Sequence, residues 1–325
     1  MQKVLVAEIG NETTVVNAFG DLGAENPRLL GQGLFLTTVL DGDVGIGIKS
    51  AIVDLEKDIG PVGTLGEISI YATSSLPTER YAQEGNGKFI LDAHAMRGIL
   101  QIFNSRILPT PEAIMQAARM IYEEVGDVLV LDVGGASTNV YSVTAGTDQH
   151  HRSKLKSEAL EQRTVEEDLG VFINASTLVK LIGDNRIKEH HGQDWEKNLK
   201  SRPDTPEQIA LSAELTAGAI TIALQRHSGR SNNNDETSGK VAESEGRNLT
   251  QIRWIVGTGV ALTQLPNGLE IMRESIKGIA ESLFLQEGIA MLLDKDCIMA
   301  SLGVLTTTFR HGAWQLLRES LGVEN

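Results

Sequence analysis

Three segments of the chain share one order of residue types: an apolar run, then an acid or a glycine, then small and hydroxyl residues. They are residues 4–14, 128–139 and 254–263. Glycine lets backbone N–H groups approach phosphate oxygens because no Cβ stands in the way, and the hydroxyls add further donors. One such segment can be no more than a strand followed by a tight bend, but three in one chain favour a site that binds phosphate groups.

Two carboxylates stand where the first two of these apolar runs end. Glu8 and Asp132 lie where a Mg²⁺ ion or an attacking water could be held, so both are predicted to be catalytic and to bind Mg²⁺, directly or through water. Asp132 is the stronger candidate, because a carboxylate that ends a buried strand costs free energy unless it binds metal or solvent. The Rossmann and P-loop fingerprints, GxGxxG and GxxxxGKS or GxxxxGKT, do not occur.

The periodicity of apolar residues indicates the elements that must position these segments. Short β-rich runs bounded by turn residues predict strands at 4–7, 13–19, 29–38, 67–73, 128–131, 140–143 and 252–256. Helical spacing predicts helices over 43–59, after Pro109-Thr110-Pro111, and over 171–182, 206–227 and 301–317. Between Val143 and about Arg163 the chain reads as a polar segment, and residues 228–248 predict a surface loop or a disordered insertion.

The composition fits a chain of two domains and restricts its partners. At 325 residues the chain is long for one domain, given about 150 residues per domain. Apolar residues make up 41% of the chain and charged residues 22%, which is enough to bury a core. The formal net charge of −14 predicts that neither nucleic acid nor an anionic membrane is a partner, because both require clustered Lys and Arg.

The cysteine count and the hydropathy of the chain exclude several kinds of site and a membrane span. Cys297 is the only cysteine, which excludes a disulfide framework, a cysteine-based zinc site and an iron–sulfur cluster held by this chain alone. No run reaches the about 18 apolar residues of a membrane span, and the first residues lack a basic flank and a cleavage site. The sequence therefore predicts a cytoplasmic location.

Two histidine pairs, His150-His151 and His190-His191, lie in polar stretches without metal-ligand spacing around them. Because neighbours in a chain cannot easily share one metal ion, both pairs are predicted to be solvated loop histidines.

A resemblance to a known family extends these observations to most of the chain. The three turns resemble the phosphate-1, phosphate-2 and adenosine motifs of the actin, hexokinase and heat-shock-chaperone superfamily. The chain is similar in particular to the GlmL/MutL family, which is encoded beside adenosylcobalamin-dependent glutamate mutase and is unrelated to the mismatch-repair protein of the same name. The segments that carry this resemblance are Thr37-Thr38-Val39 with Gly42-Asp43-Val44, Pro109-Thr110-Pro111-Glu112-Ala113, residues 131–143 (LDVGGASTNVYSV), residues 163–170 (RTVEEDLG, beside the family's RTVEGDLG) and Arg226-His227-Ser228-Gly229.

The resemblance implies an α/β protein with the actin-like ATPase (ribonuclease H-like) fold, in which two lobes, each built on a mixed five-stranded sheet, enclose a nucleotide cleft. Lobe I would comprise residues 1–123 plus 301–325 with the phosphate-1 turn, and lobe II residues 124–300 with the other two turns. The implied cofactors are ATP or ADP with Mg²⁺. The implied nucleotide contacts are Gly10, Asn11, Thr13, Thr14, Gly134, Gly135, Ala136, Ser137, Thr138, Gly257, Thr258, Gly259 and Val260. The implied contacts with the cleft or with a partner are Asp43, Arg163, Glu166 and Asp168.

Three positions depart from the pattern that the resemblance sets. Glu8 stands where the family's first motif has Asp, Asn139 where many relatives have Asp, and Leu108 where heat-shock chaperones often have a catalytic Glu. An apolar side chain cannot orient water, and Asn139 removes one acidic contact. The departures imply nucleotide binding with slow hydrolysis or none.

The function implied by the resemblance is that of a chaperone that reactivates an adenosylcobalamin-dependent mutase, its protein partner. Nucleotide-driven motion of the lobes would loosen the mutase so that damaged cobalamin can leave. Two alternatives stay open: a small-molecule kinase of the same fold, with Asp43 or Asp168 as the carboxylate base, or a non-catalytic scaffold stabilised by nucleotide. The sequence names neither the mutase nor a metabolite, and it does not indicate an oligomeric state.

Overall fold

The computed structural model describes residues 3–38, 43–64, 67–75, 82–84, 88–90, 105–145, 160–228, 249–283, 285 and 288–323. The chain divides into two compact units. Unit 1 comprises residues 1–120, 298–319 and 323–325, and unit 2 comprises residues 121–297 and 320–322. The predicted boundaries of lobe I and lobe II describe bodies that would move on nucleotide exchange, and these boundaries stay a prediction.

The described residues form strands, α-helices and one short 3-10 helix at Trp195–Asn198. The strands are β1 (Lys3–Ile9), β2 (Thr13–Gly20), β3 (Arg28–Leu36), β4 (Ser69–Ser74), β5 (Ala82–Glu84), β6 (Lys88–Ile90), β7 (Ile107–Pro109), β8 (Val128–Val133), β9 (Thr138–Thr144), β10 (Leu160–Glu166), β11 (Trp254–Thr258) and β12 (Ala290–Leu293). The helices are α1 (Val44–Ile59), α2 (Thr110–Val125), α3 (Ala175–Ile182), α4 (Asp184–His191), α5 (Pro206–His227), α6 (Val260–Thr263), α7 (Gly268–Lys277), α8 (Ala280–Leu283) and α9 (Met299–Leu321).

Unit 1 is built on a five-stranded sheet with the strand order β3-β2-β1-β4-β7. The first three strands pair antiparallel, and β4 and β7 continue the sheet in parallel. Strand β1 lies at the centre, and its residues Val4 to Ala7 are buried because the apolar run is covered on both faces. A small separate hairpin pairs β5 with β6.

Helix α1 shows how closely unit 1 is packed. The Asp43 carboxylate accepts a hydrogen bond from the backbone N–H of Gly45 (2.8 Å) and so caps the helix start. The helix ends at Gly60, whose φ of +72° favours glycine. A Cβ at Gly33 of β3 would lie 2.0 Å from the carbonyl oxygen of Ala51, so only glycine lets this strand contact the helix backbone.

Unit 2 repeats the plan with the strand order β10-β9-β8-β11-β12. Again the first three strands pair antiparallel and the last two continue in parallel. Helix α5 packs against this sheet, with Leu211, Leu215 and Ala219 buried at helical spacing. Thr205 caps α5 by accepting from the N–H of Gln208 (3.3 Å).

The two sheets are equivalent strand by strand, with β1 corresponding to β8 and β4 to β11. Glu8 lies beside Thr73 of the neighbouring parallel strand, as Asp132 lies beside Thr258. Both central strands run directly into a hairpin turn that begins with glycine. The predicted duplication of a mixed five-stranded sheet is confirmed.

Several predicted bounds were wrong, one at an edge strand and two at helices. The polar segment that was predicted to reach about Arg163 ends earlier, because β10 begins at Leu160 and pairs with β9. Helix α3 begins at Ala175 rather than 171, and α9 covers Met299–Leu321 with a kink at Phe309. The sequence analysis missed β12 and α4. Of the segment 228–248 only Ser228 is described, and the rest lies outside the described residues.

Among the described residues, none of the helices combines the length and apolarity needed to cross a membrane.

Candidate functional site

The turn between β8 and β9 presents backbone N–H groups at the end of the central strand of unit 2. The N–H of Gly134 donates to the carbonyl of Ser137 (2.9 Å) and closes the turn. No described residue accepts a hydrogen bond from the N–H groups of Gly135, Ala136 and Ser137. Three neighbouring donors for which the described residues offer no acceptor are groups that could bind phosphate oxygens.

The segment after β10 holds this turn in place from behind. The carbonyls of Gly134 and Gly135 accept hydrogen bonds from the N–H groups of Val171 (3.2 Å) and Phe172 (2.9 Å). The Thr138 hydroxyl donates to the carbonyl of Leu169 (2.8 Å), so this predicted phosphate contact is buried and has a structural partner. Within the described residues, the carbonyls of Gly134 and Gly135 therefore have hydrogen-bond donors, whereas the N–H groups of Gly135, Ala136 and Ser137 have no acceptor and could bind a ligand.

Asp132 lies at the end of β8, directly across from Asn139. The Asn139 side-chain amide donates to Asp132 Oδ2 (3.2 Å). Burial raises the pKa of Asp132 from its ordinary value of 3.8 to about 6; the hydrogen bond from Asn139 lowers it, and the charge of Asp294 raises it. Asp132 as a whole residue is partly exposed to solvent, which moderates the effect of burial.

Asp294 is a second carboxylate of this site that the sequence analysis missed. It follows β12 and is fully buried. The hydroxyls of Thr258 (2.8 Å) and Ser320 (2.5 Å) donate to its two oxygens. An apolar run, Ala290–Leu293, precedes it as one precedes Asp132, but no glycine turn follows, so only half of the signal was present.

The predicted adenosine turn comes within contact distance of Asp132. Gly259 has a φ of +88° and precedes α6. A Cβ at this position would lie 2.6 Å from Asp132 Oδ1 and 2.5 Å from the carbonyl oxygen of Val133. Both the conformation and the spacing require glycine here, so the structure brings two of the three predicted turns together within unit 2.

The residues of unit 2 fit a hydrated Mg²⁺ ion and a phosphate group. Asp132 supplies a carboxylate, and the buried Oδ1 of Asn139 has no hydrogen-bond partner among the described residues. Oxygen acceptors of this kind suit Mg²⁺, while the adjacent N–H groups suit an anion. The oxygen acceptors could therefore bind the cation of a metal–phosphate ligand, and the N–H groups could bind its phosphate.

The first turn, in unit 1, has the same backbone geometry. The N–H of Gly10 donates to the carbonyl of Thr13 (3.0 Å), as Gly134 does to Ser137. The Thr37 hydroxyl donates to the carbonyl of Gly10 (2.9 Å) and lies 3.0 Å from the Thr14 hydroxyl. Asn11 is exposed at the tip of the turn. The predicted contacts Gly10, Asn11, Thr13 and Thr14 thus form one local turn.

Glu8 is held by the first turn of α9. Its Oε1 accepts from the backbone N–H (3.0 Å) and the hydroxyl (2.5 Å) of Ser301, and from the Asn17 amide (3.2 Å). A carboxylate at a helix N-terminus satisfies a free N–H group and interacts favourably with the helix dipole. Glu8 therefore has a structural role, and its predicted role as a metal ligand stays a prediction.

The two family-like segments at 163–170 and 226–229 meet through Arg226. Its guanidinium donates to Glu166 (2.5 Å) and, through two nitrogens, to Asp168 (2.7 and 3.0 Å). The hydrogen bonds from Arg226 lower the pKa of Asp168. Arg163 lies on β10 opposite Tyr141. The ion pairs explain why these residue types occur together; contact of Arg163, Glu166 or Asp168 with a ligand or partner stays a prediction.

His227 connects the same two segments inside the unit. It is buried, and its ring nitrogens lie 2.7 Å from the Thr164 hydroxyl and 3.0 Å from the Ser142 hydroxyl. The side chain therefore joins α5 to β9 and β10.

The prediction of solvated loop histidines was wrong for His190 and His191. Both lie in the last turn of α4, and both rings contact the carboxylate of Glu214 on α5. The other pair, His150-His151, lies outside the described residues.

Two five-stranded sheets of one strand order, each with a glycine turn after its central strand, define a protein of the actin-like ATPase fold. This confirms the fold class that the resemblance implied. A sequence model of the MutL protein family matches residues 77–321. The chain therefore belongs to the MutL family.

Individual relatives are distant. Over 253 residues the chain is 26% identical to Protein MutL of Clostridium tetanomorphum, an alignment that covers 72% of this chain and 55% of that protein. The chain thus spans about half the length of this curated relative.

Similar solved structures include ethanolamine utilization protein EutJ from Carboxydothermus hydrogenoformans, 16% identical, with 94% of this chain and 89% of that one covered at a TM-score of 0.48. A ROK family glucokinase from Streptomyces griseus is 12% identical, with 98% and 99% covered at a TM-score of 0.47.

Proposed function

We propose that the protein binds ATP or ADP with Mg²⁺ and uses nucleotide exchange to reactivate an adenosylcobalamin-dependent mutase of the glutamate mutase type. The observation that carries the proposal is the turn at Gly134–Ser137. Among the described residues, none accepts from the backbone N–H groups of Gly135, Ala136 and Ser137, and the turn follows the strand that carries Asp132. Mg²⁺ would neutralise phosphate charge, with Asp132 and Asn139 as oxygen ligands, directly or through water.

Two details support a ligand in unit 2 over a purely structural turn. Burial and the charge of Asp294 disfavour the ionised form of Asp132, so a bound cation would relieve a cost that the protein alone leaves in place. Gly259 keeps the adenosine turn beside Asp132 in a conformation that other residues rarely adopt. In this proposal Gly257, Thr258, Gly259 and Val260 contact the adenosine.

The link to a mutase rests on membership of the MutL family, which the resemblance associates with glutamate mutase. Nucleotide binding and release would move the two units, and this motion would loosen the mutase. Glu8 is held by α9, Asn139 replaces an acid, and Leu108 is a buried apolar residue. Hydrolysis is therefore expected to be slow, or to need the mutase.

The kinase alternative is disfavoured by the surroundings of its two candidate bases. Asp43 accepts the hydrogen bond that caps α1. Asp168 is bound through two oxygens by Arg226, which lowers its pKa and weakens it as a proton acceptor.

The test is a calorimetric titration of the protein with Mg·ATP and Mg·ADP. We expect binding of the wild type and at least about a tenfold loss of affinity in Asp132→Ala, since hydrogen bonds and contacts to charged groups contribute more than about 1.4 kcal/mol. Asp204→Asn is the matched control, because Asp204 is an exposed residue of the same unit. Equal affinity in the wild type and Asp132→Ala would contradict the proposed site.

The partner is tested with a glutamate mutase-type enzyme inactivated by hydroxocobalamin. We expect Mg·ATP and the wild-type chain together to restore mutase activity when adenosylcobalamin is added, and phosphate release to increase in the presence of the mutase. The Asp132→Ala chain should do neither. Transfer of labelled phosphate to a metabolite would indicate a kinase instead, and nucleotide-dependent growth in particle size would indicate a scaffold.

A further inference from the structure

His190, His191 and Glu214 form a cluster of potential metal ligands within unit 2, on elements that the nucleotide turns do not use. Helix α4 carries the two histidines, and α5 carries the glutamate. Glycines bound α4 at both ends, with φ values of +118° at Gly183 and +86° at Gly192. The chain therefore turns sharply before and after this short helix.

The adjacent histidines reach the same carboxylate because they use different ring nitrogens. His190 Nδ1, the nitrogen nearer to the backbone, lies 2.9 Å from Glu214 Oε2. His191 Nε2, the nitrogen farther from the backbone, also lies 2.9 Å from Glu214 Oε2. Neighbouring residues of a helix project in different directions. The shorter reach of Nδ1 from the backbone of His190 and the longer reach of Nε2 from the backbone of His191 bring both nitrogens to the same carboxylate.

The three ligand atoms already converge on a common point. One atom of each residue lies within 4.8 Å of the other two. His191 and Glu214 are largely buried, with side-chain exposures of 10% and 14%, whereas His190 is 53% exposed and leaves a path for an ion to enter. A small outward movement of the rings would open the space for an ion.

Arg186 fixes the orientation of the glutamate. Its Nε donates to Glu214 Oε1 (2.6 Å), which also lies 3.1 Å from His190 Nδ1, while Oε2 lies 2.9 Å from a ring nitrogen of each histidine. Outer partners that orient a ligating carboxylate are a regular feature of metal sites.

We propose that His190 Nδ1, His191 Nε2 and Glu214 Oε2 bind one divalent transition-metal ion, with Zn²⁺ as the best fit, and that the ion ties α4 to α5. Two imidazoles and one carboxylate suit Zn²⁺, Co²⁺ or Ni²⁺, whereas Mg²⁺ and Ca²⁺ prefer oxygen ligands alone. Three protein ligands leave a fourth position, which water fills. The site is independent of the proposed nucleotide site.

The experiment uses the full chain without a histidine tag, stripped of metal with EDTA. Titration with Co²⁺ is followed by visible absorption, and titration with Zn²⁺ by calorimetry. We expect one ion per chain, the visible bands of four-coordinate Co²⁺, and a higher melting temperature with Zn²⁺, because the ion binds the folded state only.

The variants His191→Ala and Glu214→Gln should lose the Co²⁺ bands and the Zn²⁺ stabilisation. Glu214→Gln keeps the shape of the side chain, so it separates loss of a ligand from loss of packing. His311→Ala removes an exposed histidine of α9 and should bind as the wild type does. The absence of saturable binding in the wild type, or unchanged binding in both His191→Ala and Glu214→Gln, would overturn the proposal.

Discussion

The carboxyl groups of Asp132 and Glu8 follow equivalent strands but have different surroundings. Glu8 Oε1 accepts three hydrogen bonds from Ser301 and Asn17. Asp132 receives one from Asn139, and the nearby charge of Asp294 opposes its ionisation. The protein itself thus supports the charge of Glu8, while the charge of Asp132 would be stabilised by a bound cation. Asp132 is therefore the better candidate for a Mg²⁺ ligand.

The raised pKa of Asp132 predicts how stability depends on pH. The folded-state pKa is about 6 against an ordinary value of 3.8. Between these values the native state keeps a proton that the unfolded state has lost. The contribution to stability is therefore fully present below pH 3.8 and is lost as the pH rises through about 6. We expect the melting temperature of Asp132→Asn to rise relative to the wild type between about pH 3.5 and 6.5, a range that includes the roughly two-unit window from 3.8 to about 6.

The comparison of the two chains at each pH cancels the titration of all other groups. A melting-temperature difference that stays constant across this range would show that Asp132 titrates normally. Because the carboxylate is also a proposed ligand, Asp132→Asn should gain stability at neutral pH while its affinity for Mg·ATP falls. This combination is typical of a residue retained for function.

Single residues were predictable where their neighbours in the chain carry the signal. Asp132 could be found because four apolar residues precede it and two glycines follow. Asp294 also follows an apolar run, but Lys295 and Asp296 come next and no glycine turn marks the position. The contact of His191 with Glu214 joins two helices across 23 residues, and no spacing in the sequence reveals such a contact.

Central elements were easier to predict than edge elements. Strand β8 is a run of apolar residues because both of its faces are covered. Strand β10, at an edge of the same sheet, has the sequence LEQRTVE and only partial alternation. Its place is determined by pairing with β9, and β12 is only four residues long. The strands that local sequence patterns did not predict are therefore those whose formation depends on pairing with a neighbouring strand.

Gly33 predicts how sensitive the packing of α1 on β3 is to one methyl group. In Gly33→Ala the new Cβ would lie 2.0 Å from the carbonyl oxygen of Ala51 and 2.4 Å from the nitrogen of Leu55. Because both are backbone atoms, the helix would have to move. We expect a loss of about 1–3 kcal/mol in the free energy of unfolding, measured by urea denaturation.

Gly23→Ala is the matched control, since a Cβ there meets no atom within 4 Å and its φ is not positive. It should change the free energy of unfolding by less than about 1 kcal/mol. Similar losses in Gly33→Ala and Gly23→Ala would mean that α1 does not pack on β3 as described.

At the scale of the whole molecule, the net charge of −14 predicts that large polyanions do not bind. Duplex DNA and anionic vesicles need an extended basic surface, so neither should bind at about 0.1 M salt. Mg·ATP should bind under the same conditions, because in the proposed site a few backbone N–H groups and one metal ion would recognise it locally. Gel-shift and vesicle-sedimentation assays check this, and retention of either polyanion would contradict it.

The fold class as a whole was predictable from three short motifs, not from composition. The length and the apolar content allow many two-domain α/β proteins. The order of the glycine turns and the segments at 131–143 and 163–170 restricted them to one family. What the motifs could not give was the local surroundings of their residues, such as the role of Ser301 in holding Glu8 or of Arg226 in binding Asp168.

The turn that closes with Gly10 and Thr13 in one unit and with Gly134 and Ser137 in the other has one backbone and two sets of side chains. A repeated hairpin allows the side chains of one copy to differ from those of the other without a change of backbone. In one copy the carboxylate accepts hydrogen bonds from the first turn of a helix, and in the other it accepts one from Asn139. The same turn therefore serves as an attachment point for a helix in one unit and as the candidate ligand site in the other.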